Sequence, residues 1–331
     1  MFAAAMKASL EQAASDAMAQ DGDLAILPTR SVLAHVPVPP PDGEGRPLAI
    51  IRPGSEVDFY YYGCDGVADR GWGCSYRCCQ MIVSSAAAHL HHNSSGAVPA
   101  GGTTHAICIE VPAIVRIQDC LASLPERPFS EEQVGSTAWI EPPDVGAFLR
   151  AQHIPIASAE SEVRVTDVTA LSALCAELWG HFGHAAAELW RAPVMVDDSM
   201  FSYCICGVAA ETLGAGAEDT WVLVLDPHVS DPTVNGRAPT GITAEHIAAC
   251  DPAMHKATSS LPAPGLVRWR RFREVFVDGA RGSRWMICRP TSTPRPPTEA
   301  AAAAVQSDEE TLSSVLAVVV LREQRADEEG E

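Results

Sequence analysis

The sequence predicts an α+β fold, in which a helix that carries a cysteine comes first and a group of antiparallel strands follows. Apolar residues recur at helical spacing from position 79 to position 90. Three later stretches, 192–196, 201–209 and 220–229, have the residue usage of β-strands. A helix followed by a run of strands is typical of α+β proteins, whereas a parallel sheet needs alternating strands and helices.

The folded part of the chain is predicted between residues 50 and 290. Residues 1–49 are rich in alanine and then in proline, which indicates a short helix followed by an extended linker. Residues 291–331 are rich in proline and threonine, then in alanine, then in acidic residues. Because such a composition does not bury a core of its own, we expect a disordered tail there.

The first helix of the predicted domain begins at Cys74, and a loop rich in glycine, serine and proline at 94–102 ends it. Its core side is predicted from five positions: Cys79, Ile82, Val83, Ala86 and Leu90. A second helix is predicted over 166–189, because a Thr/Asp start signal opens it. The polar, glycine-containing stretch between the last two predicted strands suits a hairpin connection.

The charge of the chain argues against nucleic acid as a partner. There are 42 acidic and 23 basic side chains, a net charge of −19, and such a surface repels nucleic acid and anionic membranes. Eleven cysteines, an odd count without the spacing of a disulfide scaffold, indicate reduced thiols and a cytoplasmic protein. We expect no targeting signal and no transmembrane segment, since the late apolar run 312–321 is half the ~20 residues that a spanning helix needs. Recruitment to a membrane through a partner stays open.

Cys74 has the surroundings of a reactive thiol. The partial positive charge and unpaired N–H groups of a helix N-terminus stabilise a thiolate, which is the nucleophilic form. Glycines before it let a peptide approach the sulfur, and the Cys74 N–H can donate to an oxyanion. We therefore expect Gly71, Trp72 and Gly73 to form a narrow substrate channel, so that enlarging Gly73 would lower turnover and leave the fold intact. The alternative is that Cys74 is an ordinary buried thiol.

Asp226 and His228 lie two residues apart at the end of a predicted strand. A period of two points both side chains to the same side, which places a carboxylate beside an imidazole. Such a carboxylate fixes the ring tautomer and favours the imidazolium that pairs with a thiolate. The alternative is a simple Asp-Pro turn with an exposed histidine. The presence of Gly-Trp-Gly-Cys in the same chain favours the catalytic interpretation.

Two further groups are candidates for roles at a site. Tyr60, Tyr61 and Tyr62 precede Gly63, and a phenol hydroxyl there would be a second donor to an oxyanion, although the residues alone favour ordinary aromatic packing. A zinc site is an alternative for a cluster of five side chains: His89, His91, His92, Cys204 and Cys206. No Cys-x-x-Cys pair supports it, so we expect no metal and no cofactor.

These motifs resemble those of a known family. YGCDGVADRGWGCSYRCCQ at 62–80 is similar to the signature of the ubiquitin-fold modifier (UFM) specific cysteine proteases, which are papain-like. Four further segments resemble the family's tryptophan-isoleucine segment, its core strand pair, its Asp-Pro-His motif and its closing strand: 138–149, 192–209, 222–229 and 285–290. The resemblance covers most of residues 58–290 and neither tail.

The resemblance implies a papain-like protease domain over 50–290, with Cys74 as nucleophile and His228 as general base. Asp226 would orient His228, and the hydroxyl of Tyr62 would complete the oxyanion hole. The implied activity is hydrolysis after the C-terminal glycine of UFM, in its precursor or in its conjugates, without a cofactor. The implied partner is UFM itself, and no adaptor is identified.

Some positions depart from the family pattern. Ala68 and Val229 stand where an aspartate and a tyrosine are usual, and residues 197–199, Asp-Asp-Ser, replace a glycine-rich turn, which leaves the substrate contacts open. Autophagins, the proteases of the lipidated autophagy modifier, share the GWGC helix start and the DPH motif. They are the alternative, although the YGCDG lead-in and the short interval before DPH favour the UFM group. A catalytically silent module that binds the modifier is a further alternative.

Overall fold

A seven-stranded antiparallel sheet forms the centre of the protein. The computed structural model describes residues 49–51, 56–95, 110–125, 129–183, 190–228, 267–280 and 282–290. The predicted N-terminal extension up to residue 48, the predicted tail after residue 290 and the segment between His228 and the last strands up to residue 266 lie outside the described residues. The domain boundaries therefore stay predictions.

The strands run in chain order β1 (Ala49–Ile51), β2 (Ile156–Arg164), β3 (Val194–Asp197), β4 (Ser202–Ala210), β5 (Trp221–Leu225), β6 (Val267–Arg271) and β7 (Arg284–Pro290). Their order across the sheet is β2-β7-β3-β4-β5-β6, and β1 pairs with the C-terminal residues 208–210 of β4. Every pair is antiparallel. The last strand in the chain, β7, therefore lies between β2 and β3.

In the described part of the chain, four α-helices accompany the sheet: α1 (Cys74–Ser95), α2 (Ile114–Ser123), α3 (Pro142–Ala151) and α4 (Val168–Gly183). A 3₁₀ turn spans Glu131–Gln133 and a π-helical turn spans Glu274–Asp278. Proline at the first position of α3 suits a helix start, because the missing N–H would be unpaired there in any case.

The sheet is covered on both faces, which explains why its central strand β5 is apolar at successive positions. On β5, Leu223 and Leu225 belong to the core cluster that contains Ile82 of α1, whereas the alternate residues Val222 and Val224 belong to the cluster of α4. A strand buried on both faces needs apolar residues at successive positions. The continuous run at 221–225 is therefore a consequence of its central place.

Several predicted elements are found. Helix α1 begins at Cys74, as predicted. Strand β5 falls within its predicted segment, and β3 and β4 each extend one residue past theirs. Strands β4 and β5 are paired antiparallel. The second predicted helix corresponds to α4, whose predicted residues 184–189 lie outside the described part. Helices α2 and α3 and the strands β1, β2 and β6 were not predicted.

A buried arginine joins the loop before α1 to the helix itself. Arg77 is fully buried, and its Nε donates to Asp69 Oδ2 at 2.6 Å, while its Nη1 and Nη2 donate to the two oxygens of Asp65 at 2.7 and 2.6 Å. Nη1 also donates to Gln80 Oε1 at 2.9 Å. Asp69 in turn accepts the N–H of Gly63 at 2.8 Å. This network fixes the loop 62–73 against the first turns of α1.

We predict that Arg77→Leu lowers the free energy of unfolding by about 3–5 kcal/mol, because it leaves buried carboxylates without their cation. The matched change Arg116→Leu removes an exposed pair with Asp119, whose atoms are 3.9 Å apart, and should cost less than about 1 kcal/mol. Denaturant unfolding followed by circular dichroism measures both. Similar losses in the two variants would contradict a structural role for the Arg77 network.

Candidate active site

Cys74 lies at the start of α1, where the loop fixed by Arg77 meets the helix. Its side chain is buried. The loop turns tightly before it, since the N–H of Gly73 donates to the carbonyl oxygen of Asp69 at 2.8 Å and the indole of Trp72 donates to that of Ala68 at 3.1 Å. The thiol is thus held at a helix N-terminus on a rigid backbone, as the sequence predicts.

Asp226 and His228 follow β5 directly. One carboxylate oxygen, Asp226 Oδ1, lies 2.7 Å from Nδ1 of the His228 ring and accepts the His228 backbone N–H at 3.0 Å. Pro227 between them does not prevent this geometry. The carboxylate therefore fixes both the backbone and the ring of the histidine, which leaves Nε2 as the nitrogen that can act on another group.

The His228 ring is enclosed by aromatic side chains. Ring centroids of Phe201, Tyr62 and Tyr203 lie 4.7, 5.3 and 5.5 Å from that of the imidazole. Nε2 is buried and makes no hydrogen bond to an oxygen or nitrogen of the described residues. The side chain that interacts with it there is the thiol of Cys74.

The electrostatics of the pair favour a thiolate beside an imidazolium. Burial opposes ionisation of Cys74, but the interaction of the thiol with His228 and the charge of that ring outweigh it and lower the pKa of the thiol. Burial likewise disfavours the charged form of His228, but Asp226 and then Cys74 raise its pKa to about 10. Asp226 stays ionised, because His228 lowers its pKa against the effect of burial.

Tyr62 joins the two halves of the site. Its backbone N–H donates to the carbonyl oxygen of Pro227 at 3.2 Å, and its hydroxyl interacts with the thiol of Cys74. Burial, and after it the charge of Cys74, raises the pKa of Tyr62 well above its ordinary value. The hydroxyl is therefore a proton donor next to the sulfur at any pH at which the protein functions.

The predicted channel residues have structural reasons of their own. Gly71 has a φ of +87°, a conformation that favours glycine, and the Trp72 ring is buried against Tyr76 at 5.7 Å between centroids. A Cβ on Gly73 would collide with the carboxylate of Asp69. Enlarging Gly73 would therefore disturb Asp69 and the loop, which argues against the expectation that the fold stays intact. Contact of Gly71, Trp72 and Gly73 with substrate stays a prediction.

The turn that replaces the glycine-rich sequence is built from carboxylates. Asp197 Oδ1 accepts the N–H of Ser199 at 2.6 Å, and Asp198 Oδ1 accepts those of Met200 and Phe201 at 2.9 and 2.7 Å. Ser199 has a φ of +72°, so these hydrogen bonds support a conformation that glycine adopts more readily. The turn brings Asp197 and Ser202 to Cys74, which sequence reasoning missed.

Other predicted candidates lie away from this centre. Cys204 and Cys206 are buried in β4, and the His89 ring stacks on Trp190 at 6.3 Å, while the side chains of His91 and His92 lie outside the described residues. Among the described residues, no three histidine, cysteine or acidic side chains form a group that could hold a metal ion. Within the same residues, no helix has the length and apolar character required to span a membrane.

A cysteine at the start of a helix that faces an Asp-His pair at the end of a strand, on an antiparallel sheet, is the arrangement of the papain-like cysteine peptidases. The sequence identifies the family within this class, because the model of Peptidase family C78 matches residues 54–246, more than half of the chain. The protein belongs to this family.

Its relatives carry a common name. A mouse protein called Ufm1-specific protease 1 is 30% identical over 199 residues, which are 59% of this chain and 75% of the mouse protein. A rice protein called probable Ufm1-specific protease is 28% identical over 194 residues, and mouse Ufm1-specific protease 2 is 29% identical over 195. The chain spans only 26% of the rice protein and 36% of the second mouse protein.

The crystal structure of UfSP from C. elegans is similar with a TM-score of 0.49 and 19% sequence identity. The match covers 80% of this chain and 38% of the worm chain.

We predict that Gly73→Ala destabilises the protein by about 1–3 kcal/mol, because the added methyl group displaces Asp69 from Arg77. Gly180 in α4 is the matched control, since a Cβ there meets no atom within 4 Å. Gly180→Ala should stabilise the protein by about 0.5–1 kcal/mol through helix propensity. Thermal unfolding distinguishes the two signs, and a neutral Gly73→Ala would contradict the close packing of Asp69.

Proposed function

We propose that the protein is a thiol protease that cleaves after the C-terminal glycine of the ubiquitin-fold modifier, in its precursor or in its conjugates. The observation that carries the proposal is the convergence of Cys74, His228, Asp226 and Tyr62, with the thiol pKa lowered and the imidazole pKa raised. The relatives named Ufm1-specific proteases support the choice of modifier.

In the proposed mechanism, the thiolate of Cys74 attacks the carbonyl carbon of the glycine and forms a C–S bond. The carbonyl oxygen becomes an oxyanion, which the Tyr62 hydroxyl and the Cys74 N–H stabilise by hydrogen bonds. Because burial keeps the Tyr62 hydroxyl protonated and positioned beforehand, little reorganisation is needed as charge develops.

Collapse of this intermediate breaks the C–N bond. His228 gives its Nε2 proton to the leaving amine, which leaves a thioester on Cys74 and a neutral imidazole. Water then attacks the thioester while His228 takes its proton, and the glycine leaves as a carboxylic acid. Asp226 holds the ring orientation through both steps. Acid-base and nucleophilic groups of the chain itself supply all of these steps.

The two alternatives are weaker. An autophagin-like activity shares the Cys and Asp-Pro-His motifs, but the relatives found carry the Ufm1 name. A silent binding module would not need a thiol whose pKa is lowered by a histidine. The nine described cysteines are free thiols, which fits the proposal of a cytoplasmic protein.

We predict that the purified protein cleaves the UFM precursor after its C-terminal glycine and that Cys74→Ala does not. Mass spectrometry of the products locates the cut. Cleavage of only the autophagy modifier's precursor would favour the autophagin alternative. Binding of mature UFM without cleavage of either precursor would favour the silent module.

The role of Tyr62 is tested in the same assay. Tyr62→Phe should lower kcat by about 100- to 1000-fold with little change in KM, because only the transition state carries the oxyanion. Tyr76→Phe is the matched control, since its hydroxyl donates to the carbonyl oxygen of Ala138 at 2.7 Å in the core. Equal rates in the two variants would contradict the proposed oxyanion hole.

The pH dependence follows from the direction of the two pKa changes. The thiolate is lost as pH falls through the lowered pKa of Cys74, and the imidazolium is lost as pH rises through the pKa of His228, about 10. We predict a broad plateau of kcat/KM with its alkaline limb near pH 10. Asp226→Asn should lower the rate at least about 100-fold and move the alkaline limb to lower pH. Asp219→Asn, at an exposed position, should do neither.

A further inference from the structure

The hairpin between β3 and β4 contacts both members of the Cys74–His228 pair. Phe201 and Tyr203 place their rings against the imidazole, at 4.7 and 5.5 Å between centroids. Ser202, between them, is fully buried and pairs with Asp197 across the hairpin. The turn between β3 and β4 thus supplies neighbours of both the Cys74 thiol and the His228 ring.

Three polar side chains surround the Ser202 hydroxyl. It lies 2.7 Å from the hydroxyl of Ser75, the residue after Cys74, and it donates to Asp197 Oδ2. Ser202 also acts on the neighbouring thiol of Cys74, whose pKa it lowers as a hydrogen-bond partner. All four groups are buried, so water does not replace a missing partner.

One hydroxyl carries one proton and can donate only once. An ionised Asp197 accepts only, so in its presence the Ser202 proton points to the carboxylate. A thiolate of Cys74 accepts only as well and needs the same proton. Asp197 and Cys74 therefore compete for the one proton of the Ser202 hydroxyl. Ser75 does not supply a second proton to either of them, because its hydroxyl donates to the Ser202 oxygen whenever Ser202 donates elsewhere.

The competition changes when Asp197 binds a proton. A protonated Asp197 donates to the Ser202 oxygen, which releases the Ser202 proton for Cys74. The same protonation removes a negative charge that opposes the thiolate. Both effects act in the same direction, so a neutral Asp197 stabilises the thiolate and a charged one destabilises it.

Asp197 is placed to change its charge in the physiological range. Burial raises its pKa to about 6, and the hydrogen bonds from Ser202 and from the Ser199 N–H do not offset that effect. The charged groups acting on it are Asp198 in its own turn and Glu141 before α3, both acidic. From α1, it faces the titratable thiols of Cys74 and Cys78.

We propose that Ser202 is a positioning residue for Cys74, and that Asp197 controls it by taking or releasing the one proton that Ser202 can donate. This inference rests on the proposed role of Cys74 as nucleophile. Charged Asp197 disfavours the thiolate, whereas protonated Asp197 releases the Ser202 proton to the sulfur and favours it. The turn at 197–199 is then a device that sets thiol reactivity, in addition to a replacement for glycine.

The experiment measures the rate of alkylation of Cys74 by iodoacetamide between pH 4 and 9, with the modified residue located by mass spectrometry. Asp197→Asn keeps the shape of the side chain, removes the charge and adds an amide donor for the Ser202 oxygen. We expect the pH of half-maximal rate to fall by about half a pH unit or more, a threefold change in thiolate at a given pH. Asp167→Asn, which alters a side chain that accepts the Ala170 N–H at 2.9 Å, should leave it unchanged.

A double-mutant cycle separates the role of Ser202 from the charge of Asp197 alone. In the Ser202→Ala background, Asp197→Asn should move the half-maximal pH much less, because the shared proton is gone. In the Ser202→Thr background, which keeps a hydroxyl, the full movement should return. Equal movement in the Ala and Ser backgrounds would overturn the role of Ser202, and no movement in the intact background would overturn that of Asp197.

The same measurement distinguishes failure of this inference from failure of the proposed function. If Cys74 is alkylated no faster than the other thiols at neutral pH, it is not an activated nucleophile and the proposed function itself fails. If Cys74 is fast but Asp197→Asn has no effect, only the inference fails. Thermal unfolding of each variant confirms that the fold is retained. If Ser202→Ala does not fold, comparison of Asp197→Asn with the unmodified protein still tests whether Asp197 controls the ionisation of Cys74.

Discussion

The buried pairing of Arg77 with Asp65 and Asp69 is the interaction on which the site depends. A fully buried cation is costly unless its donors are all used, and the guanidinium here bonds two carboxylates and Gln80. Because Asp69 also accepts the Gly63 N–H, the network holds the loop that carries Tyr62 against the helix that carries Cys74. The thiol and the hydroxyl that would face the same oxyanion are therefore positioned by one group of charges.

The second half of the site comes from the sheet and not from this loop. Strand β5 is held on both sides, by β4 and β6, so the residues that follow it leave the sheet from a fixed point. The N–H of Tyr62 donates to the Pro227 carbonyl oxygen and closes the gap between loop and strand. The rigid strand β5 and the rigid loop before α1 explain how the buried Asp-His pair is held beside a thiol that is far away in the sequence.

Local signals carried most of what the sequence could predict. The start of α1 at Cys74 and the Asp226–His228 pair follow from helix spacing and strand alternation, which act over a few residues. The place of β7 between β2 and β3 depends on pairing with two strands that lie far earlier in the chain, and the local pattern of 284–290 does not identify them. The close packing of Asp69 against Gly73 could not be predicted, because only the folded loop brings Asp69 to the position that a Cβ on Gly73 would occupy.

The turn at 197–199 shows why a departure from a family pattern needs a structure to interpret. Glycine would adopt the conformation of Ser199 without support, whereas here two carboxylates supply it through hydrogen bonds to backbone N–H groups. That solution places a buried charge next to Cys74. One aspartate, Asp226, raises the pKa of the base and favours the ion pair, and the other, Asp197, raises the pKa of the thiol and opposes it. The reactivity of the thiol is thus set by the balance of two carboxylates, only one of which the catalytic motif contains.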